Sequence, residues 1–223
     1  MKKLILITLF AFLAVSCTAE KDTPEKQDVE KNTAVEIEQK AELTKIIPEG
    51  LKMCGFKTGI IKYQMTGLST GTQMLYFRRW GIESSILQEH IINKQHIQEN
   101  IILTEYYTYQ MNRAANIYIR KKNNTFDEYI KIYNDVKDNT AADSILMIRA
   151  GEYLGREEIA GKMCTKWSSP KSHSITWKWE GIIIRSEMTT PMGILNYEAV
   201  DIKLDCDVPS FLFSIPDAPW VDK

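Results

Sequence analysis

The chain has 223 residues and a formal net charge of −1, from 28 Lys and Arg against 29 Asp and Glu. That balance argues against a nucleic-acid partner held by phosphate neutralisation, and an apolar content of 44% argues against a chain too polar to bury a core. Only the first residues form a long apolar run, and no later stretch approaches the roughly 20 residues of a membrane-spanning helix.

Lys2 and Lys3 precede an apolar stretch from Leu4 to Val15. About a dozen residues is too short to span a hydrocarbon core, and the pattern is that of a cleavable signal peptide over residues 1–16. Leu13-Ala14-Val15-Ser16-Cys17 resembles the lipobox of bacterial lipoproteins, with Ala14 where Leu is commoner. The resemblance implies that Cys17 is lipidated and becomes the mature N-terminus. Two or three acyl chains, at about 0.8 kcal/mol per buried methylene, then anchor the protein in the membrane. The expected location is the outer membrane, on its periplasmic side or at the cell surface.

Residues 17–45 are mostly Glu, Lys, Asp, Thr and Gln and bury too little to offset the cost of ordering them. They read as a tether of roughly 30 Å mean reach, of which about 34–46 has partial helical period. The folded domain is expected over 46–223. TGIIKYQMTG and TQMLYFRRWG form a hairpin about Leu68-Ser69-Thr70-Gly71, and ESSILQEHII, NIILTEYYTYQM and ANIYIRKK continue as strands.

FDEYIKIYNDV places Phe126, Ile130, Tyr133 and Val136 on one helical face. Thr140 or Asp143 then caps a second helix, stopped by Gly151 or Gly155, with Ile145, Ile148 and Tyr153 or Leu154 buried. The remainder is strand-like: REEIAGKMCTKWSS, then SITWKW, in which Ile175, Trp177 and Trp179 alternate with polar residues. Turns at Glu180-Gly181 and Pro191-Met192-Gly193 lead into IIIRSEMTT and ILNYEAVDIKL. Short connections between adjacent strands imply antiparallel pairing, so the fold class is α+β, with the helices between two sets of strands.

Once Cys17 is assigned to the anchor, Cys54, Cys164 and Cys206 remain. In an oxidising envelope one bridge and one free thiol is the simplest expectation, with no pairing preferred. The spacings match no zinc site. The three histidines, His90, His96 and His173, have neither the helical nor the strand spacing of a metal pair. There is no Gly-x-Ser-x-Gly, no HExxH and no phosphate-binding loop. Glu157-Glu158 reads as a solvated pair. The expectation is a protein that is not an enzyme and uses no cofactor or metal.

The ordered series YLGREEIAGKMCTKW, ITWKWEGIIIRSEM and FLFSIPDAP resembles the second half of the envelope lipoprotein-carrier superfamily that includes LolA and LolB. Its lipid-anchored, uncharacterised members are the most similar branch. The matching positions are Gly155, Glu157, Gly161, Lys162, Cys164, Trp167, Trp177, Gly181, Arg185, Phe213, Ile215 and Pro216.

The resemblance implies an incomplete antiparallel β-barrel wrapped around about two or three helices. It also implies an apolar cavity that takes an acyl chain or other hydrophobic ligand, in lipid or lipoprotein transport. Trp177, Trp179, Ile183 and Met188 are the expected lining. The alternative is an envelope interaction module with a filled core that docks a protein or cell-wall partner. Its surface would come from Tyr106, Tyr107 and Tyr109, which cannot all face inward.

Overall fold

The structure, a computed structural model, describes residues 47–223. The signal peptide, Cys17 and the whole of the tether lie outside the described residues. Six strands come first: β1 (Gly59–Gly67), β2 (Thr70–Arg78), β3 (Glu83–Ile92), β4 (Gln95–Leu103), β5 (Tyr107–Asn112) and β6 (Ile117–Lys122). Two helices, α1 (Asn124–Val136) and α2 (Asn139–Ala150), separate them from β7 (Glu152–Ile159), β8 (Lys162–Ser169), β9 (Ser174–Trp179), β10 (Ile182–Thr190) and β11 (Gly193–Leu204). A 3-10 turn at Ser210–Phe213 precedes the last strand, β12 (Val221–Asp222).

All strands join one open 12-stranded sheet in the order β12-β6-β5-β4-β3-β2-β1-β11-β10-β9-β8-β7. Every pairing is antiparallel except that of β12 with β6. The two sets are stitched together by β1 against β11, where one extra residue in β11 makes a bulge opposite Lys62 and Tyr63. No helix among the described residues is long and apolar enough to cross a membrane.

Hairpin turns follow local chemistry. Asn93-Lys94, Ala160-Gly161 and Glu180-Gly181 all take positive φ, the conformation that matches the twist of the flanking strands in a two-residue turn. The run NIILTEYYTYQM is not one strand. Thr104 Oγ1 accepts from the N–H groups of Tyr106 and Tyr107, and this side-chain turn ends β4 and begins β5.

Asn123 starts α1 by accepting from the Phe126 N–H, while its own amide donates to the Thr104 carbonyl at 2.6 Å. Lys137 in the left-handed region closes α1, and Asp138 caps α2 by accepting from Ala141 N at 2.9 Å. The expected caps, Thr140 and Asp143, lie within α2, which ends at Gly151 as expected.

The buried face of α1 is Phe126, Tyr129, Ile132 and Tyr133; of the expected face Phe126 and Tyr133 are buried, Ile130 is half-buried and Val136 is exposed. The shift follows from the N-terminal segment, whose carbonyls at Lys52 and Glu49 accept from the Tyr129 and Tyr133 hydroxyls at 2.7 and 3.1 Å. On α2 only Ala142 is buried, and Ile148 is 61% exposed. Tyr153 and Leu154 belong to β7 and are exposed.

The thiols of Cys54, Cys164 and Cys206 are all free, which corrects the expected bridge. Each donates to a nearby backbone carbonyl, of Phe56, Lys162 and Lys203 respectively.

The main core joins Ile61, Tyr63, Phe77, Ile184 and Ala199 to Cys164, Trp177 and Ile182, with Cys54 and Phe56 packed around the end of β9 and β10. A second core lies between the helices, Leu51 and Ile82. A third, on the face away from the helices, is built from Ile102, Tyr109 and Met111 under Trp220.

Candidate functional site

Alternation along a strand assigns every residue to one of two faces. Lys178 of β9 donates to Asp143 of α2 at 2.6 Å, so its side of the sheet bears the helices. Thr176 shares that side and pairs with Ser186, Ser186 with Tyr197, and Tyr197 with Met65.

Register carries the same face across the sheet in rows. One row runs Tyr197, Met65, Gly71, His90, Ile97. The next runs Ala199, Tyr63, Gln73, Gln88, Glu99, and the third Ile202, Ile61, Leu75, Ile86, Ile101. A polar row is therefore set between apolar neighbours on the side that bears the helices.

Within that row the Gln88 side-chain amide donates to Gln73 Oε1 at 2.8 Å, and the Tyr63 hydroxyl donates to the Ile183 carbonyl at 2.8 Å. Burial pushes the Glu99 carboxyl above its usual range, partly opposed by a hydrogen bond that the Gln110 side chain donates to it. Burial also pushes the Tyr197 phenol up, and the Glu99 charge adds to that shift. β4 and β11 are separated by three strands. Ser186 is 3% exposed and its Oγ has no hydrogen-bond partner.

Much of this face is only half-buried: Gln73, Leu75, Ile86, Ile97, Glu99, Gln110, Met188 and Tyr197 all keep part of their surface. Met65, Ile101 and Leu195 are buried but belong to none of the three packed cores.

The four residues expected to line a cavity are divided. Met188 pairs with Ser174 and Leu195 on the helix-bearing face. Ile183 is half-buried at the β9–β10 bulge. Trp177 and Trp179 fall on the opposite face, since they alternate with Thr176 and Lys178.

Trp177 is 3% exposed, and its indole N–H donates to Glu157 Oε2 at 2.9 Å. Lys166 and Arg185 lie over its ring at 4.7 and 5.2 Å. Glu157 is held below the usual carboxylate range by that indole and by Lys166. Trp179 packs against Phe56 with ring centres 5.2 Å apart, under Lys162. Glu157, Trp177 and Arg185, which carry the family resemblance, therefore brace strands on the far side from the helices.

The tyrosine patch is likewise occupied. Tyr107 and Tyr109 face away from the helices, but Trp220 lies 5.1 Å from Tyr109 and 5.7 Å from Tyr118. Of the histidines, His90 is buried against Ser69 at 2.6 Å and His96 pairs with Glu89 at the surface. Among the described residues no group of three or more His, Cys, Asp or Glu is placed to hold a metal ion.

Sequence reading missed Glu99, Gln110, Gln73, Gln88 and Ser186. The available signal was broken alternation. In β1 polar residues fall strictly on the exposed face, whereas β3 and β4 carry Gln or Glu on both parities and β2 sets Gln73 among apolar residues.

No protein-family model matches the chain, and no curated protein matches it. Solved structures do resemble it. An uncharacterized conserved protein from Thermus thermophilus has a TM-score of 0.47 at 11% identity, over 76% of this chain and 92% of that one. LprF from Mycobacterium bovis has a TM-score of 0.34 at 11% identity, over 71% and 90%. A domain provisionally assigned to outer membrane lipoprotein sorting, from Vibrio parahaemolyticus, has 0.33 at 9% identity, over 82% and 96%. These scores are too low to define a shared fold, and no function passes from these proteins to this chain.

Proposed function

We propose that this chain is a non-enzymatic, lipid-anchored envelope protein. Its sheet forms a half-barrel around the two helices and holds an acyl chain or similar hydrophobic ligand on the concave side. The supporting observation is the curvature implied by the short helical link between the two ends of the sheet.

The margins of the sheet carry the argument. β6 and β7 are ten spacings apart, about 48 Å if flat. They are nevertheless joined by a helical hairpin whose far ends are clasped by Arg149 and Glu128 at 3.2 Å. Strands that far apart in order but joined so closely belong to a sheet curled over its helices.

Such a surface offers an apolar floor of Met65, Leu75, Ile86, Ile101, Met188 and Leu195, whose half-buried members keep area that a chain of methylenes would cover at roughly 25 cal/mol per Å². Of the residues expected at the lining, Met188 takes this place, while Trp177 and Trp179 support the wall from behind. Lipidation at Cys17 and a place in the outer membrane, on either of its sides, belong to the same proposal. So does a role in moving lipid or lipoprotein, because a protein tethered by its own acyl chains works within reach of the bilayer.

The test is native mass spectrometry of the unacylated mature chain from residue 17, purified from cells without detergent. The expected result is a co-purifying adduct of lipid mass. It should be displaced by excess long-chain alcohol and lost in an Ile101→Asp variant that keeps the native circular dichroism spectrum. A folded chain with no adduct and no uptake of added lipid would count against the reading.

A further inference from the structure

Antiparallel order sends alternate connections to opposite ends of the sheet. One end carries the turns β1–β2, β3–β4, β5–β6, β8–β9 and β10–β11. The other carries the start of α1, the exit of β11 and the entering segment, whose Ile47 packs with Leu51 and Ile82. The two ends differ in charge. Glu105, Glu180 and Asp205 stand at the entry end, whereas the five turns of the first end hold Lys94, Arg113 and Lys171, all exposed, and no carboxylate. Among strand residues near those turns, Glu89 is paired with His96 at 2.9 Å, and Glu152 stands at the margin of the sheet on β7.

Three of the turns touch one another and carry apolar surface. The Leu68 N–H donates to the Ile194 carbonyl at 2.7 Å, and the Ser69 hydroxyl lies 3.1 Å from the Ile91 carbonyl. The first turn is thereby held between the other two. Ile91, Met192 and Ile194 are 51%, 47% and 52% exposed. Alternation turns Ile91 and Ile194 to the same face, away from the helices, because their neighbours His90 and Leu195 share the helix-bearing side.

We infer that this turn end docks on an anionic phospholipid bilayer. Ile91, Met192 and Ile194 enter the head-group layer, and Lys94, Arg113 and Lys171 meet the phosphates. Area and charge select this occupant. Three half-exposed side chains fall well short of the roughly 800 Å² per partner of a stable protein interface, and a second copy would set cations against cations. A bilayer surface instead adds charge attraction to shallow apolar insertion. The tether also reaches. A strand of nine residues such as β1 is about 30 Å long, and the segment 17–45, which joins at the entry end, has a mean reach of about 30 Å. An acylated Cys17 can therefore share the bilayer with the turn end. The inference does not depend on a ligand in the concave face.

The experiment is co-sedimentation of the mature chain from residue 17, without its acyl groups, with vesicles of phosphatidylcholine alone or mixed with phosphatidylglycerol. Binding to the anionic vesicles should be about tenfold or more tighter, and should weaken as salt is raised. Lys94→Gln, Arg113→Gln and Lys171→Gln together should lower it by about tenfold or more, each cation near such a surface being worth about fivefold. The same charge removed elsewhere, by Lys57→Gln, Lys62→Gln and Lys203→Gln, should lower it by about twofold or less. Ile91→Thr, Met192→Gln and Ile194→Thr together should lower it severalfold with the native circular dichroism spectrum retained.

A folded chain that binds neither vesicle, or binds both equally, would overturn the inference, as would equal losses from the two sets of charge substitutions. Self-association abolished by the apolar substitutions, without vesicle binding, would overturn it in favour of a second copy. Vesicle binding by a chain that carries no lipid adduct would uphold it and count against the acyl-chain reading alone.

Discussion

His90 sits at the third strand's end under the first hairpin turn, 3% exposed. Ser69 Oγ lies 3.1 Å from the Ile91 carbonyl, to which it can donate, and within hydrogen-bonding distance of His90 Nδ1 at 2.6 Å. Burial, and to a lesser extent the charge of His96, hold the imidazole below its ordinary pKa. The groups facing it are Ser69, the Ile91 carbonyl, His96 and, across the strand pairs, Gly71 and Ile97.

Because the folded pKa is the lower one, the unfolded chain binds more protons in the window between the two values. Stability therefore falls as pH drops through about 6.5 towards the folded value. The urea midpoint should decrease between about pH 7.5 and about pH 5, and a His90→Gln variant should lose much of that slope. Ser69→Ala should lower stability by about 1–2 kcal/mol at neutral pH. A midpoint that does not move with either substitution would remove His90 from the account of acid sensitivity. The Ser69 partner was not legible, because it depends on how the first turn folds over β3.

At the scale of elements, α2 is the least obvious member of the fold. It buries only Ala142 among its residues, so apolar packing contributes little, and its ends and its ion pairs, Asp143 with Lys178 and Arg149 with Glu128, hold it in place. Lys178 and Asp143 meet at 2.6 Å with side chains 12% and 27% exposed. Removing one partner leaves the other charge poorly solvated, whereas removing both does not. Asp143→Ala should therefore cost about 2 kcal/mol, and adding Lys178→Met should recover most of it. Chemical denaturation of the two variants measures this directly, and a double variant no more stable than the single one would show that the pair is not what secures α2. Asp143 looked like a cap in the sequence because capping and ion pairing use the same side chain. Only the neighbouring strand distinguishes the roles.

For the whole molecule, the C-terminal segment is the element that decides which surface is available. Leu204 ends β11 near the middle of the sheet, and the chain then travels across the face away from the helices to β6 at its margin. Phe213 lies under Arg78, Trp220 covers Tyr109 and Tyr118, and β12 runs beside β6 with Arg120 and Asp222 paired at 2.6 Å. This segment caps an apolar patch and the free edge of β6, a surface that would otherwise invite strand-to-strand association.

Deleting residues 217–223, or substituting Trp220→Ala, should lower stability by about 2 kcal/mol. Both should raise fluorescence of a dye that binds exposed apolar surface, and the deletion should also self-associate in sedimentation. A deletion variant that stays monomeric and dark to the dye would show that the cap is dispensable.

What the sequence by itself determined was local. Turn residues and period-two runs located most of the strands to within a few residues, as the pairing of Glu180-Gly181 with the flanking Trp179 and Ile182 illustrates. The charged segment and the Cys17 motif carried the expectation of an anchor without any structure. Tertiary structure alone decided that β1 pairs with β11, that the two Trp of β9 turn away from the helices, and that Tyr63, Gln73, Gln88 and Glu99 share one row. The physical reason is that alternation assigns residues to two faces but does not say which face is covered. Register between strands more than a hundred residues apart is set by how the whole sheet closes.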